Sequence, residues 1–258
     1  YLYKTYHNMK KLILLILLFS TFSQAQFYEI TYETNVQTFY TEKGKKVLED
    51  WADDPKEYEL LLELNMNPPK EKFKFIYNNS VSKVFYQTKL KNEQVVKEIE
   101  VKKIPSNIVG DITSDYKNNQ FSYEMDVYGK KYLVKDQLIQ VDLKDTGNKK
   151  DIIGFEANEA VAKLGDIDII IWYTKEIPFN FTPDIYYTTK GFVLELHYKT
   201  RSDESEVINS WQAIDKKKLS KEPKISIPNK GKIIKKDEVN KVWDEANERM
   251  NALYSQDD

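Results

Sequence analysis

The segment DIDIIIWYT, residues 166–174, decides the fold. In an extended chain successive side chains point to opposite faces, and four apolar side chains fall on one of them: Ile167, Ile169, Ile171 and Tyr173. Ile170 and Trp172 place apolar surface on the other face as well. A strand with two apolar faces is typical of the interior of a sheet. We therefore predict a central strand that is covered on both sides.

A second alternating segment lies at residues 27–40, FYEITYETNVQTFY. Tyr28, Ile30 and Tyr32 share one side, and the residues between them are polar. This pattern predicts a half-buried strand. Similar apolar patterns predict strands over residues 151–164, 191–200 and 206–215. The polar residues 144–150 predict a loop.

Two hairpins are predicted from their turn residues. Strand-like runs flank Asn78 and Asn79, and paired asparagines tolerate the positive φ of a tight turn. Gly129 provides a second turn between two alternating segments within residues 119–143. Short turns of this kind join antiparallel neighbours, so both hairpins extend the predicted sheet.

One helix is predicted ahead of the first hairpin. Asp54, Pro55 and Glu57 have the order of an N-cap, a proline at the first helical position and a capping-box glutamate, which favours a helix over residues 55–65. Four apolar side chains in the same segment also alternate as a strand would: Tyr58, Leu60, Leu62 and Leu64. The proline pair at residues 68–69 ends the element in either case.

The C-terminal part changes character at Lys216. Residues 216–232 are basic and contain proline and glycine, which predicts a linker or a loosely docked strap. Beyond Asp237, six apolar side chains follow one helical stripe: Val239, Val242, Trp243, Ala246, Met250 and Leu253. This stripe predicts a helix that packs on the sheet.

Together these patterns predict a mainly β fold. We expect a single curved antiparallel sheet or half-barrel, with one helix in the N-terminal half and a C-terminal helix packed on it. The predicted domains are an upstream and signal segment at residues 1–25, an antiparallel β domain at 26–215, and a basic linker with an amphipathic helix at 216–258.

The first 25 residues have the pattern of a secretory signal peptide. Lys10 and Lys11 precede an apolar run at residues 12–19, and Ser23 and Ala25 form a small-x-small site, so cleavage is expected after Ala25 and residues 1–8 are interpreted as upstream sequence. The apolar run is shorter than the roughly 20 residues of a spanning helix. We expect a periplasmic, outer-membrane-associated or extracellular protein without a transmembrane span in the mature chain.

The amino-acid composition excludes several classes of chemistry and of binding partner. The chain has no cysteine, which excludes disulfides and catalytic thiols. Removal of residues 1–25 takes away three lysines and no acid, leaving 36 basic and 41 acidic residues and a net charge of about −5. A nucleic-acid partner is therefore not expected, because phosphate binding needs a dominant positive face.

Few residues could carry catalysis. After residue 25 the one histidine is His197, and in an extended strand Glu195 points to the same side, so a carboxylate–imidazole pair is sterically possible. We favour a solvent-facing pair on the sheet over a catalytic one. The sequence predicts no catalytic residue, no metal site of the usual zinc ligand sets and no cofactor. Paired carboxylates of a glycoside hydrolase depend on separation in space, which the sequence does not give.

The segment WYTKEIPFNFTP, residues 172–183, crosses between two predicted strands. Its aromatic side chains could line a groove for an apolar or sugar ligand, or they could fill the core and its rim; we favour the core. A curved sheet clasped by helices also creates an apolar concavity, so a lipid or acyl chain is the leading specific ligand. The candidate ligand-binding or signature residues are Trp172, Tyr173, Pro178, Phe181, Pro183, Gly191, Glu195 and His197.

Residues of about 130–199 resemble the GLPGLI family, secreted proteins of Bacteroidetes named after a glycine-rich motif. The most specific likeness is IWYTKEIPFNFTPDIYYTTKGFVLEL, at residues 171–196. The naming motif is eroded, since Thr188, Thr189 and Lys190 replace its first three residues and only Gly191 survives. Ala157 stands where a cysteine is common. The resemblance implies export and a β-rich fold, and it implies no established activity.

We therefore expect an exported, non-catalytic binding or scaffold protein of the envelope or the periplasm. Its partner would be an envelope protein or an apolar small molecule held in a hydrophobic groove. The alternative is a secreted hydrolase that uses clustered carboxylates or the pair Glu195 and His197.

Overall fold

The computed structural model describes residues 26–86 and 111–254. The predicted signal segment lies outside the described residues, and so does the part of the strand-like run after Asn79 that continues beyond Tyr86. The strands are β1 Tyr28–Tyr40, β2 Glu71–Tyr77, β3 Val81–Tyr86, β4 Ile112–Asp115, β5 Gln120–Val127, β6 Lys130–Gln137, β7 Ile139–Gln140, β8 Lys144–Ile152, β9 Phe155–Leu164, β10 Ile167–Thr174, β11 Tyr186–Tyr187, β12 Phe192–Arg201, β13 Ser205–Lys218 and β14 Lys232–Ile234. The helices are α1 Glu42–Trp51, α2 Pro55–Met66 and α3 Val239–Tyr254, the last preceded by a 3₁₀ turn at Lys236–Glu238.

Twelve strands form one large, curved, open sheet. Their order is β14-β6-β5-β4-β3-β2-β1-β13-β12-β10-β9-β8, and every pairing is antiparallel except β14 with β6. A small parallel sheet joins β7 and β11. The predicted mainly β fold, with one helix in the N-terminal half and one at the C-terminus, is confirmed.

Strand β10 lies inside the sheet, between β9 and β12. Ile169 and Ile171 are buried on one face, as predicted. The expectation that both faces are covered is wrong, because Ile170 is 39% exposed on the other face and Trp172 is only half-buried. The pattern of apolar residues identified an interior strand, but it did not reveal that one side faces solvent.

Strand β8 corrects the prediction of a polar loop over residues 144–150. Its backbone pairs with β9, for example Lys150 with Ala157, and it forms the edge of the sheet. Seven of its nine side chains are exposed, so its sequence carries no alternation of apolar and polar residues. Polar and charged side chains are common on edge strands, where they discourage pairing with other chains.

Both predicted hairpins form, but the first uses a different turn chemistry. Asn78 does not adopt positive φ; its Oδ1 instead accepts hydrogen bonds from the backbone N–H groups of Ser80 at 3.1 Å and Val81 at 2.9 Å. In the second hairpin Tyr128 and Gly129 have φ of 49° and 81°, the left-handed pair that a two-residue turn requires.

Helix α2 confirms the predicted helix and excludes the alternative strand. The Asp54 carboxylate caps the N–H of Glu57 at 2.8 Å, and the Glu57 carboxylate accepts from the N–H of Asp53 at 2.6 Å. Helix α1 was not predicted; Thr41 caps it by accepting from the N–H of Gly44 at 3.2 Å.

Two cores hold the fold together. The main core lies under β1, β2, β10, β12 and β13 and includes Trp211, Tyr32 and Phe75. A smaller core joins Met125, Val127, Tyr132, Val134, Ile234 and Ala246, which confirms that the C-terminal helix packs on the sheet. The tail is more ordered than predicted, because β13 runs past residue 215 and β14 pairs with β6.

The crossing between β10 and β12, residues 175–191, packs into the main core. Ile177 and Phe181 are 2% and 4% exposed. Because this segment contributes to the core, it fixes how the ends of β10 and β12 are placed. None of the helices in the described part of the chain has the length and apolar character needed to cross a membrane.

Candidate functional site on the open sheet face

Trp172 stands at the centre of the solvent-facing side of β9, β10 and β12, which we call the open face. It pairs with Glu195 on β12 and with Glu159 on β9. Directly opposed residues of antiparallel strands share a face, so these three side chains are neighbours. Ile170, one step along the same face, pairs with His197. The strand register therefore brings together three of the predicted site residues.

Glu195 is 6% exposed although it lies on this face. Lys150 Nζ donates to both of its carboxylate oxygens, at 2.9 and 2.8 Å, and His197 Nε2 lies 2.7 Å from Oε1. The same ammonium group lies 4.1 Å from the centroid of the Trp172 ring, a cation–π contact. We call Lys150, Trp172, Glu195 and His197 the Glu195 cluster. The predicted pair of Glu195 and His197 forms, but its carboxylate is buried and does not face solvent.

The cluster keeps Glu195 ionised. Burial is the largest single influence and raises its pKa, but hydrogen bonds from His197 and Lys150 and their charges together lower the pKa below the usual value. Neighbouring Glu159 also has a lowered pKa, chiefly because Thr146 Oγ1 and Asn148 Nδ2 donate to it, both at 2.6 Å. Two carboxylates on this face are therefore anions at neutral pH.

The arrangement does not contain an activated nucleophile. Ser210 pairs with His197 across β12 and β13, but its hydroxyl donates to the carbonyl oxygen of Asn35 at 3.3 Å. A serine nucleophile would instead need a hydrogen bond to the imidazole. Within residues 26–86 and 111–254, no three His, Cys, Asp or Glu side chains are grouped to hold a metal ion.

Tyr173 and Gly191 brace the two ends of the crossing. The Tyr173 hydroxyl donates to Asp145 at 2.9 Å, and Lys190 Nζ lies 2.7 Å from the other oxygen of Asp145. Burial and this carboxylate raise the pKa of Tyr173 to about 12, so it stays a neutral donor. A Cβ at Gly191 would lie 2.4 Å from the carbonyl oxygen of Thr174, so the surviving glycine is required by close backbone approach.

Phe181 and Pro183 are buried within the crossing, whereas Pro178 is exposed. The Phe181 ring stacks on Tyr116, with centroids 4.1 Å apart, and on Phe179 at 5.2 Å. Phe181 belongs to the main core, and Phe179 and Tyr116 pack against that core. The five predicted site residues outside the Glu195 cluster thus build the crossing and its supports.

Asp184 was missed by sequence reasoning. It is 7% exposed, accepts hydrogen bonds from the Trp211 indole N–H at 3.2 Å and the N–H of Ile185 at 2.6 Å, and also bonds the Tyr198 hydroxyl. Burial raises its pKa. An acid directly between Pro183 and Ile185 in an aromatic-rich segment was the available signal. Lys150 was missed because it lies in the segment predicted to be a loop.

The surface at the β8–β9 hairpin and the start of the crossing is also polar, on the face of β9 that carries Asn158 and not on the face that carries Glu159. An open depression on the β8–β9 hairpin is lined by Lys149, Glu156, Asn158, Lys175 and Glu176. Three of these residues are linked, since the Lys149 side chain pairs with the Glu156 carboxylate at 2.8 Å and the Glu176 carboxylate accepts from the backbone N–H of Glu156 at 2.7 Å. Charged walls of this kind do not suit an acyl chain.

Comparison with known proteins shows a similar fold in PNGF-II. Its crystal structure in space group P21 superposes with a TM-score of 0.50 at 19% sequence identity, covering 86% of this chain and 34% of that chain. The C2 crystal form gives a TM-score of 0.47 at 20% identity, with coverage of 86% and 32%. The chain thus spans about a third of the PNGF-II chain it matches, and at this identity the likeness concerns the fold. No protein-family model matches the chain, and no curated protein matches it in sequence.

Proposed function

We propose that the protein is a non-catalytic binding or scaffold protein exported to the envelope or the periplasm, and that it contacts an envelope protein through the open face. The observation that carries this proposal is the state of Glu195. Its carboxylate is held within the molecule by Lys150 and His197, on the solvent-facing side of the sheet. A group held in this way stabilises a surface and is not poised to transfer a proton.

The pKa directions weigh against the hydrolase alternative. A glycosidase needs one carboxylic acid with a raised pKa beside an ionised one. Glu159 and Glu195 flank Trp172, but both have lowered pKa values, so neither is a proton donor at neutral pH. The imidazole of His197 is hydrogen-bonded to Glu195, and the hydroxyl of Ser210 on the neighbouring strand donates to the carbonyl oxygen of Asn35 instead.

A protein partner fits the open face better than a lipid does. The crossing packs Ile177, Phe181 and Ile185 into the main core, so these apolar side chains are not available to line a groove for an acyl chain. The accessible apolar surface near the cluster is Ile170 and part of Trp172, surrounded by charged groups. Small apolar areas with a polar rim and an aromatic residue are typical of protein interfaces.

Export is supported by the charge, apolar run and small-x-small site of residues 10–25 and by the resemblance to a secreted family. Deletion of residues 12–19 is expected to leave the protein in the cytoplasmic fraction. Equal amounts of the deleted and intact chains in the exported fraction would contradict this part of the proposal.

Site-specific crosslinking tests the binding role. A photoreactive residue at position 170 is expected to form a discrete adduct with an envelope protein in cells, and Trp172→Ala in the same chain is expected to remove it. The matched control is the photoreactive residue at Tyr128, which is 57% exposed far along the sheet. Absence of a position-170 adduct, together with esterase or glycosidase activity that is lost in His197→Asn, would overturn the proposal in favour of the hydrolase. Native mass spectrometry showing a bound lipid would favour an apolar ligand instead.

A further inference from the structure

The two ends of strand β1 carry opposite charge. Residues 47–66, which include the end of α1 and all of α2, contain seven carboxylates and one lysine, a net charge of −6. Residues 217–233, after the body of β13, contain six lysines and one glutamate, a net charge of +5. We call these two segments the acidic helix pair and the basic strap. Their charges are nearly equal in size and opposite in sign.

Ion pairs within residues 26–86 and 111–254 do not neutralise these charges. Among the described residues, the ion pairs that form include none of the acids of the acidic helix pair and none of the lysines of the basic strap. Asp54 and Glu57 act in capping the helix, and Glu222 accepts from Asn79. The other charged side chains of both segments are exposed. Each segment therefore projects a field of one sign into solvent.

Both segments also expose apolar surface. In the acidic helix pair Trp51 is 80% exposed and Met66 is 36% exposed, and no side chain of α2 is buried although the helix contains four leucines. In the basic strap Ile227 and Ile233 are 44% and 66% exposed. An apolar centre with charged surroundings on both surfaces suits contact between them.

One copy cannot bring its own two segments together. Tyr28 pairs with Lys218 at the start of the strap, and Tyr40, which pairs with Ser205, leads into α1. Strand β1 is 13 residues long, so its ends lie about 40 Å apart at the rise of a strand. The N–H of Leu219 is bonded to the carbonyl of Phe27, and the far end of the strap is fixed by β14 on β6.

We propose that copies of the protein associate head to tail, with the basic strap of one copy bound on the acidic helix pair of the next. Such an interface joins two different surfaces, so it produces a ring if the rotation closes and a linear assembly if it does not. The Glu195 cluster takes part in neither surface. This proposal is thus independent of the proposed function.

We identify the binding partner as a second copy of the protein because the chain itself carries both an acidic surface and a basic surface of nearly equal charge. An anionic membrane would attract the basic strap but repel the acidic helix pair, and it would leave Trp51 and α2 uncovered. The ion pairs between two copies would lie at the protein surface, where dissolved salt screens them, so salt is expected to weaken the association.

Sedimentation of the purified protein at ~0.02 M and ~0.5 M salt tests the proposal, since the Debye length falls severalfold between them. We expect assemblies larger than the monomer at low salt and monomers at high salt. Glu59→Lys with Glu63→Lys lowers the charge of the acidic helix pair from −6 to −2, and separately Lys221→Glu with Lys224→Glu lowers that of the basic strap from +5 to +1, so each variant should shift toward the monomer at low salt. Their equimolar mixture should associate more than either variant alone, because the unchanged strap of the first meets the unchanged acidic helix pair of the second.

The matched control is Lys135→Glu with Asp166→Lys, which reverses exposed charges on β6 and in the β9–β10 turn and should associate like the unchanged protein. Trp51→Ser, which retains every charge, should weaken association on the order of tenfold. A protein that stays monomeric at low salt, or a mixture of the two charge variants that associates no more than either variant alone, would overturn the proposal. Monomers that bind anionic vesicles through the strap would also overturn it.

Discussion

Asp184 and Glu195 are two buried carboxylates, eleven residues apart, that the fold treats in opposite ways. They are 7% and 6% exposed, yet the pKa of Asp184 is raised and that of Glu195 is lowered. Burial alone raises the pKa of both. The difference comes from their partners, since Asp184 is bonded by the Trp211 indole, a backbone N–H and the Tyr198 hydroxyl, whereas Glu195 is bonded by the Lys150 ammonium and by His197.

The comparison separates a structural region from a candidate contact region. Neutral donors around Asp184 join the crossing to β12 and β13 and leave little charge in the core. The Lys150 ammonium and the imidazole of His197 hold the Glu195 anion just beneath the open face, where a partner can meet the half-exposed Lys150 and His197. Equal burial therefore does not imply an equal role.

The largest loss of stability is expected from a substitution that removes packing in the crossing, the segment that contains Asp184. Phe181→Ala should lower the free energy of unfolding by about 4 kcal/mol, because it deletes a buried ring that stacks on Tyr116. Trp172→Ala on the open face should cost only about 1 kcal/mol, mostly the cation–π contact with Lys150. Chemical denaturation measures both. Equal losses would show that the crossing is not core.

Gly191→Ala tests the joint between the two regions. The added Cβ would lie 2.4 Å from the Thr174 carbonyl oxygen, so the start of β12 must shift. We expect a loss of about 2–3 kcal/mol in the free energy of unfolding. Gly129→Ala is the comparison variant for a glycine without neighbours within 4 Å, where the cost comes from positive φ alone. A tolerated Gly191→Ala would contradict the close approach that explains this surviving glycine.

Lys150→Met removes the ammonium group that donates to both carboxylate oxygens of Glu195. It leaves a buried carboxylate with His197 as its remaining side-chain partner, and it should cost about 1–2 kcal/mol, a value reduced because the Lys150 side chain is 37% exposed. Lys149→Met is the matched control, since its pair with Glu156 is exposed on both sides and should contribute under about 0.5 kcal/mol. If the two variants were equally stable, the Glu195 cluster would be no more than a surface ion pair.

The smallest effect is a change in pH dependence. A raised pKa in the fold means that the protonated Asp184 is favoured there, so its stabilising contribution is complete below about pH 4 and is lost as pH rises through the raised value. Asp184→Asn should remove this loss. Urea denaturation from pH 4 to 8 should therefore show the variant gaining stability relative to the unchanged protein as pH rises, by about 1.4 kcal/mol for each unit of pKa difference. Parallel curves would contradict a raised pKa.

Local sequence patterns predicted most of the large elements. Alternation identified β1, β10, β12 and β13, and the capping residues identified α2. The edge strand β8 escaped prediction because its polar side chains record solvent exposure, whereas its extended shape comes from backbone pairing with β9. Helix α1 also lacked a signal that distinguished it from the connection before Asp54.

The sequence predicted only the part of the candidate site whose residues are close together in the chain. Glu195 and His197 are two residues apart on one strand, so their shared side follows from the period of a strand. Lys150 reaches them from 45 residues away, and its position depends on how β8 registers on β9 and β9 on β10. That register, like the burial of Asp184 inside the crossing, is a property of the assembled sheet.

The central claim is that Glu195 is an anion held by Lys150 and His197, in contrast to Asp184. Titration of the two side-chain carboxyl ¹³C resonances in one NMR sample tests it most directly. We expect Glu195 to titrate below the ordinary range of a glutamate and Asp184 to titrate above the ordinary range of an aspartate. A raised pKa for Glu195 would contradict the claim and would make this residue a candidate general acid.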